Sequence, residues 1–138
     1  LAMLFYLGDD IPKNLKETAK WMTRAAEQGE AASQNTLAVL YYNGEGVEKN
    51  MEEAIKWWRR SAENGNSKAQ VSLGAMYYDG KGIEKDMAQA LMWHYISIEN
   101  GSDDAKQNRD TLEKEATPEQ IFEAKKLSDE WMKKYSLR

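Results

Sequence analysis

The chain repeats itself every 36 residues. Gly44 and Gly80, Gly46 and Gly82, Trp57 and Trp93, and Gly65 and Gly101 are all separated by that interval. The same offset run backwards lands Gly8 under Gly44, Trp21 under Trp57 and Gly29 under Gly65. Self-similarity at this period marks an array in which each unit buries its apolar face against its neighbours, so there is no single closed core. The 138 residues therefore divide into three units and an ending.

The two best-kept units cover 32–67 and 68–103, with identities that include Gln34/Gln70, Leu37/Leu73, Tyr41/Tyr77, Tyr42/Tyr78 and Ala54/Ala90. Each unit reads as two helices. The first, near 32–43 and 68–79, sets Leu73, Met76 and Tyr77 on one face at i, i+3 and i+4 spacing. Gly44 and Gly80 end it, because glycine takes the left-handed conformation that a helix stop requires. Gly46 or Gly82 tightens the connection, and Val47 or Ile83 plugs it. The second helix starts at Asn14, Asn50 and Asp86, each followed three residues later by Glu17, Glu53 or Gln89, a capping-box-like pattern. Inside it, Ala54, Trp57, Trp58, Ser61 and Ala62 alternate small and very large side chains; the small ones let the paired helix approach.

The ends differ from the middle. Met3, Leu4, Phe5 and Tyr6 read as the tail of a first helix, and the second loop glycine is replaced by Asp10. After the third unit, Ala105 to about Glu115 reads as a first helix that has lost register, since Arg109 stands where Leu73 predicts an apolar residue. Thr117-Pro118-Glu119-Gln120 then opens one more helix, with threonine as cap, proline in the first turn and glutamine closing the box. Its apolar face is Ile121, Ala124, Leu127 or Ser128, Trp131 and Tyr135. The expected organisation is one array over 1–138: a partial repeat at 1–31, repeats at 32–67 and 68–103, a degenerate helix at 104–116 and a capping helix at 117–138.

Composition excludes several classes. A net charge of −4 lacks the basic stripe of a nucleic-acid binder, and no segment approaches a membrane span. Without cysteine there is no disulfide framework and no thiolate metal site. The Gly-x-Gly loops follow helices and lack a following Lys-Ser/Thr pair, so they are turns and not phosphate cradles. His94 is the single histidine, and its counterparts in the other units are Met22 and Trp58, which marks a packing position. Asp103-Asp104 and Glu52-Glu53 are adjacent acids that point to different sides of a helix, unlike a catalytic pair. No catalytic, cofactor or metal site is expected. The chain opens Leu1-Ala2-Met3, already inside the repeat pattern, as expected for a piece of a longer protein; the compartment, bacterial envelope or cytoplasm, is left open.

The run Leu73-Gly74-Ala75-Met76-Tyr77-Tyr78-Asp79-Gly80-Lys81-Gly82-Ile83, followed by Asp86, Ala90, Trp93 and Gly101, resembles the Sel-one-like repeat, a branch of the tetratricopeptide-type α-solenoids. The second unit carries the same resemblance at Leu37, Tyr41, Gly44, Gly46, Val47, Ala54, Trp57, Ser61, Ala62 and Gly65, and the likeness extends over residues 1–104. Ala2 and Ala38 depart from it where Gly74 conforms, and so does Ile96-Ser97-Ile98, where Arg60-Ser61-Ala62 conforms. The resemblance implies an all-α fold: about eight helices in antiparallel pairs forming a right-handed solenoid with a C-terminal capping helix. It also implies a non-enzymatic adaptor or scaffold, in bacterial signalling or at the cell envelope, that binds a protein or peptide.

In that family type the first helices line a concave surface. By analogy the partner-contacting residues are Met3, Tyr6, Leu7, Asn35, Val39, Tyr42, Asn43, Val71, Ala75, Tyr78 and Asp79. Tyr42 and Tyr78 recur at the repeat period one residue past the core-facing Tyr41 and Tyr77, which turns them about 100° from the buried direction. The competing expectation is that these tyrosines pack between successive first helices. An alternative function, stacking of glycan or peptidoglycan fragments on aromatic rings, rests on the five tryptophans, although Trp21, Trp57 and Trp93 recur at the period expected of packing residues.

Overall fold

A computed structural model of the chain describes residues 11–136, which form seven helices and no strand. Two compact units divide the chain, residues 1–66 and 67–138. The first holds α1 (Ile11–Glu27), α2 (Ala31–Asn43) and α3 (Met51–Glu63). The second holds α4 (Ser67–Asp79), α5 (Met87–Glu99), α6 (Asp103–Glu115) and α7 (Pro118–Ser136).

The 36-residue period is carried by the helices themselves. The first helices α2, α4 and α6 are each 13 residues long and start at Ala31, Ser67 and Asp103. This corrects the reading of α6 as out of register. Leu112 is buried at the position of Met76 and Ala105 at that of Ala69. The buried Gln70, Leu73 and Gly74 positions have become Lys106, Arg109 and Asp110, and Arg109 is tolerated because it is partly exposed and its guanidinium lies 3.0 Å from Asp110.

The turn chemistry also follows the sequence. Gly44 and Gly80 end α2 and α4 with φ of 71° and 68°, and Gly46 and Gly82 adopt similar left-handed values. Asn50 and Asp86 cap α3 and α5, each side chain accepting the amide N–H of Glu53 or Gln89 at 3.1 Å. Asn14 does not act in this way. It lies inside α1, which begins three residues earlier at Ile11, and its carbonyl accepts from the Thr18 hydroxyl. The local sequence explains the difference: Pro12 has a φ already suited to a helix's first turn, whereas Glu48 and Glu84 stand at the corresponding place in the other loops.

In the first unit the core is Leu15, Thr18, Ala19 and Ala26 of α1 against Leu37, Ala38 and Leu40 of α2, with Ala54, Ile55, Trp58 and Ala62 of α3. Polar groups tie the helix ends together. Gln34 is buried; its amide donates to the Ala26 carbonyl at 3.0 Å and its oxygen accepts from Asn64 at 3.0 Å. The Ser61 hydroxyl donates to the Ala31 carbonyl at 2.6 Å. The second unit repeats two of these bonds, Asn100 to Gln70 at 3.1 Å and Ser97 to the Ser67 carbonyl at 3.0 Å.

In the second unit α5 packs against α4, α6 and α7. That accounts for its composition: Ala90, Leu91, Met92, Trp93, His94, Ile96 and Ser97 are all buried. Ile96, at the position of the exposed Arg60, is apolar because α5 is covered on more sides than α3. The α7 helix is capped as expected, with Thr117 and Gln120 exchanging hydrogen bonds at 2.9 and 3.1 Å. It buries Ala124 and Ser128, leaves Ile121 and Trp131 half-buried, and turns Lys125, Lys126, Lys133 and Lys134 outward. The Trp131 ring meets Trp93 edge-on at 5.7 Å and stacks on Tyr135 at 4.3 Å.

Gly46 has two constraints where Gly65 has one. Both have positive φ, but a β-carbon at Gly46 would also overlap the Leu15 carbonyl, while nothing lies within 4 Å of one at Gly65. Gly65→Ala is therefore expected to cost about 1 kcal/mol and Gly46→Ala clearly more. Denaturant midpoints of the two variants check the order; equal losses would contradict the close approach.

Ending the chain at Ala116 removes α7 and uncovers the face of α5 that carries Trp93. The shortened chain is expected to lose cooperative unfolding or to aggregate. A soluble product with an unchanged melt, followed by circular dichroism, would make α7 an appendage.

Candidate interaction surface

The anticipated contact residues divide between the two units. Met3, Tyr6 and Leu7 lie outside the described residues. In the first unit Asn35, Val39, Tyr42 and Asn43 follow one another at helical spacing along α2. Asn35 is half-buried, and its Oδ1 is buried without a hydrogen-bond partner. Tyr42 is half-buried with its ring tilted against Trp58 at 5.4 Å, and the exposed Asn43 donates to Glu45 at 2.7 Å.

In the second unit Val71, Ala75, Tyr78 and Asp79 run along α4 in the same way. The Tyr78 hydroxyl donates to the Glu115 carboxylate on α6 at 2.5 Å, and the Lys85 ammonium sits 5.1 Å from its ring centre. The Glu115 hydrogen bond pushes the phenol's pKa above its ordinary value, so Tyr78 stays neutral. Tyr78 thus bridges α4 and α6 and is half-buried.

The structure brings Ala75 and Tyr78 together with residues that the sequence reading did not select. A cavity of about 190 Å³ is lined by these two, by His94 of α5, and by Asn108, Thr111 and Leu112 of α6. Val71 and Asp79 do not line it. The missed signal was the period itself: 36 residues on from Ala75 is Thr111, and on from Ser72 is Asn108.

His94 forms the inner wall. It is 2% exposed, and its Nδ1 is 2.7 Å from the Ala90 carbonyl oxygen. A carbonyl only accepts, so Nδ1 carries the proton and Nε2 is the bare nitrogen. Burial lowers the imidazole pKa below 6.5, which keeps the ring neutral.

A second cleft, of about 420 Å³, lies among α5, α6 and α7, lined by Tyr95, Ile98, Glu99, Arg109, Lys125, Ser128, Asp129 and Met132. Tyr95 donates to Glu113 at 2.6 Å; burial, followed by that bond, raises its pKa. Both signs of charge line this cleft. Among the described residues no group of three or more His, Asp or Glu is placed to hold a metal ion, and no helix is long and apolar enough to cross a membrane.

The tryptophans divide unevenly. Trp57, Trp58 and Trp93 are at most 4% exposed, with Arg60 lying 4.8 Å over the Trp57 ring. Trp21 departs from the packing expectation at 53% exposure, with Arg24 over its ring.

Folding stability should record the burial of the neutral histidine. An unfolded histidine binds a proton near pH 6.5, and this one does so only at lower pH. The stabilisation is complete above 6.5 and is lost as pH falls below it, with a slope of up to about 1.4 kcal/mol per pH unit. Melts between pH 7.5 and 5.5 are expected to decline in wild type and to be flatter in His94→Phe, because the chain has no other histidine. Parallel profiles would place the titration elsewhere.

Compared with known proteins, the chain matches the Sel1 repeat at residues 1–30, 31–66 and 67–102. The second and third matches begin at the first residues of α2 and α4. Among solved structures the chain is similar to a protective antigen, displaying an SLR fold, present in uropathogenic Escherichia coli strains. The two are 37% identical with a TM-score of 0.90, over 97% of this chain and 28% of that one. It is also similar to a Sel1 repeat protein from Oxalobacter formigenes, 35% identical with a TM-score of 0.72, over 78% of this chain and 44% of that one. The chain thus spans less than half the length of either. No curated protein matches it. These likenesses put its fold among the all-α solenoids. Proteins with this repeat generally mediate protein–protein interaction and are generally non-enzymatic.

Proposed function

The chain belongs to the Sel1 repeat family, and from that premise we propose that it is a non-enzymatic interaction module that binds a partner protein or peptide through its first helices. The contacting surface on the first unit is the stripe Asn35, Val39, Tyr42 and Asn43. On the second it is Val71, Ala75, Tyr78 and Asp79, extended by Asn108 and Thr111 of α6. The observation that carries this reading is the opening beside Tyr78, where a half-buried ring, two apolar side chains and three neutral polar ones surround a recess. Tyrosine suits such a place because it offers a large contact area and a polar tip at low entropic cost.

Tyr42 and Tyr78 already make contacts within their own units, so their role must be separated from packing. Removing a central aromatic from an interface commonly costs about 2 kcal/mol, roughly thirtyfold in affinity. The double variant Tyr42→Ala with Tyr78→Ala is expected to lose that much affinity for a peptide selected on the chain, while its helical circular dichroism is retained. Unchanged affinity would refute the surface. A collapsed fold would assign both tyrosines to packing, and Tyr78→Phe, which keeps the ring, would then be expected to restore the melt.

A further inference from the structure

The third repeat differs from the second at two positions that touch. Gly74 replaces the position of Ala38, and His94 that of Trp58. A β-carbon on residue 74 would lie 2.7 Å from both Cε1 and Nδ1 of the imidazole. His94 can therefore occupy its place only because residue 74 is glycine. In the first unit the equivalent pair is Ala38, fully buried, and Trp58, packed against Tyr42.

The ring so placed has one hydrogen-bonding group in use and one free. Nδ1 donates to Ala90, and no residue hydrogen-bonds to Nε2 among the described ones. Nε2 is not among the fully buried unpaired atoms although the residue is 2% exposed, so this acceptor meets the recess, where an incoming donor can bond it. The recess it lines, about 190 Å³, is smaller than the sites that hold drug-sized molecules, and suits a single side chain. Its lining is Ala75, Leu112, the Tyr78 ring, Asn108, Thr111 and His94, with no ionised group among them. The nearby Glu115 is engaged by the Tyr78 hydroxyl. The lining itself offers hydrogen bonds and no ionised partner, which favours a neutral side chain over a cation; the Glu115 charge lies at the Tyr78 tip, outside the lining.

We propose that this recess is a specificity pocket for a partner side chain that is short, neutral and ends in a hydrogen-bond donor, a hydroxyl or a primary amide, with His94 Nε2 as the acceptor. Asn108 and Thr111 stand at the mouth and serve the donor group's remaining lone pairs or protons. Gly74 is a positioning residue, since it acts only through His94. The assignment rests on the interaction surface proposed above and names what that surface selects.

Propionamide tests the pocket directly, with N,N-dimethylpropionamide and propylammonium as controls. The chain's single histidine makes its side-chain nitrogen resonances unambiguous. A saturable shift of the Nε2 resonance is expected with propionamide, and none with the non-donor amide or the cation. Equal shifts with all three probes, or none with propionamide, would overturn the pocket. A second arm uses peptides selected from a random phage-displayed library on the full chain. Those that bind are expected to carry Ser, Thr, Asn or Gln as an anchor and to bind about tenfold more weakly to His94→Phe. Peptides that depend on Tyr78 but not on His94 overturn the pocket and leave the interaction surface standing; peptides indifferent to both remove both. Should His94→Phe fail to fold, the probe titration on the wild-type chain still decides.

Discussion

A buried glutamine amide holds the first helices in place, and the repeat is organised around it. Gln34 reaches back to the last turn of α1 and forward to Asn64 at the end of α3, so one side chain fixes three helix ends. A buried amide left unpaired would be costly, which makes the correct arrangement favourable and slipped ones unfavourable. Ser61 adds a bond to the first residue of α2, and the same serine and asparagine positions bond Ser67 and Gln70 in the second unit. These are residues identical at the 36-residue offset. The apolar contacts supply area without direction; the amide and hydroxyl set the register in which that area is buried.

Much of this was legible because it depends on local chemistry. Glycine at Gly44 and Gly80 meets a positive φ, and Asn50, Asp86 and Thr117 meet free amides at helix starts; both needs arise within a few residues of chain. What escaped the sequence was in part a local residue given too little weight and in part neighbours remote along the chain. Arg109 looked incompatible with a repeat position until the structure set it half-exposed beside Asp110. Asn14 looked like the caps at Asn50 and Asp86, but a proline two residues earlier lets the helix start before it. The surface stripe on α4 followed from helical periodicity, whereas the recess beside it needed α5 and α6 and could not be read from one helix.

The ending of the array illustrates how a repeat is closed without a new core. The α6 helix keeps the length and position of α4, yet it is largely charged and buries only Ala105 and Leu112. Coverage of α5 falls instead to α7, whose start at Pro118 follows α6 after two residues with no Gly-x-Gly loop. The short connection brings Trp131 onto Trp93 and Ala124 into the cluster with Ala90, Leu91 and Leu112. A helix that is apolar on nearly every side, as α5 is, would be unsuitable at a free end. Its composition makes sense only with α7 in place.

Identical and differing residues therefore serve separate ends in these repeats. Ser61/Ser97, the Asn64–Gln34 and Asn100–Gln70 pairs and the glycine pairs make the same bonds or turns in each unit, and a change at any of them would disturb the scaffold. Differences at Ala38/Gly74 and Trp58/His94 leave the helices equal in length and place a polar wall beside a recess in the third repeat. The exchange is coupled, because the imidazole occupies the volume that the missing methyl would take. A scaffold whose directional bonds lie at the helix ends can accept such a change at mid-helix, where only volume must balance. That separation lets the third repeat carry a recess with a polar wall on helices of unchanged boundaries.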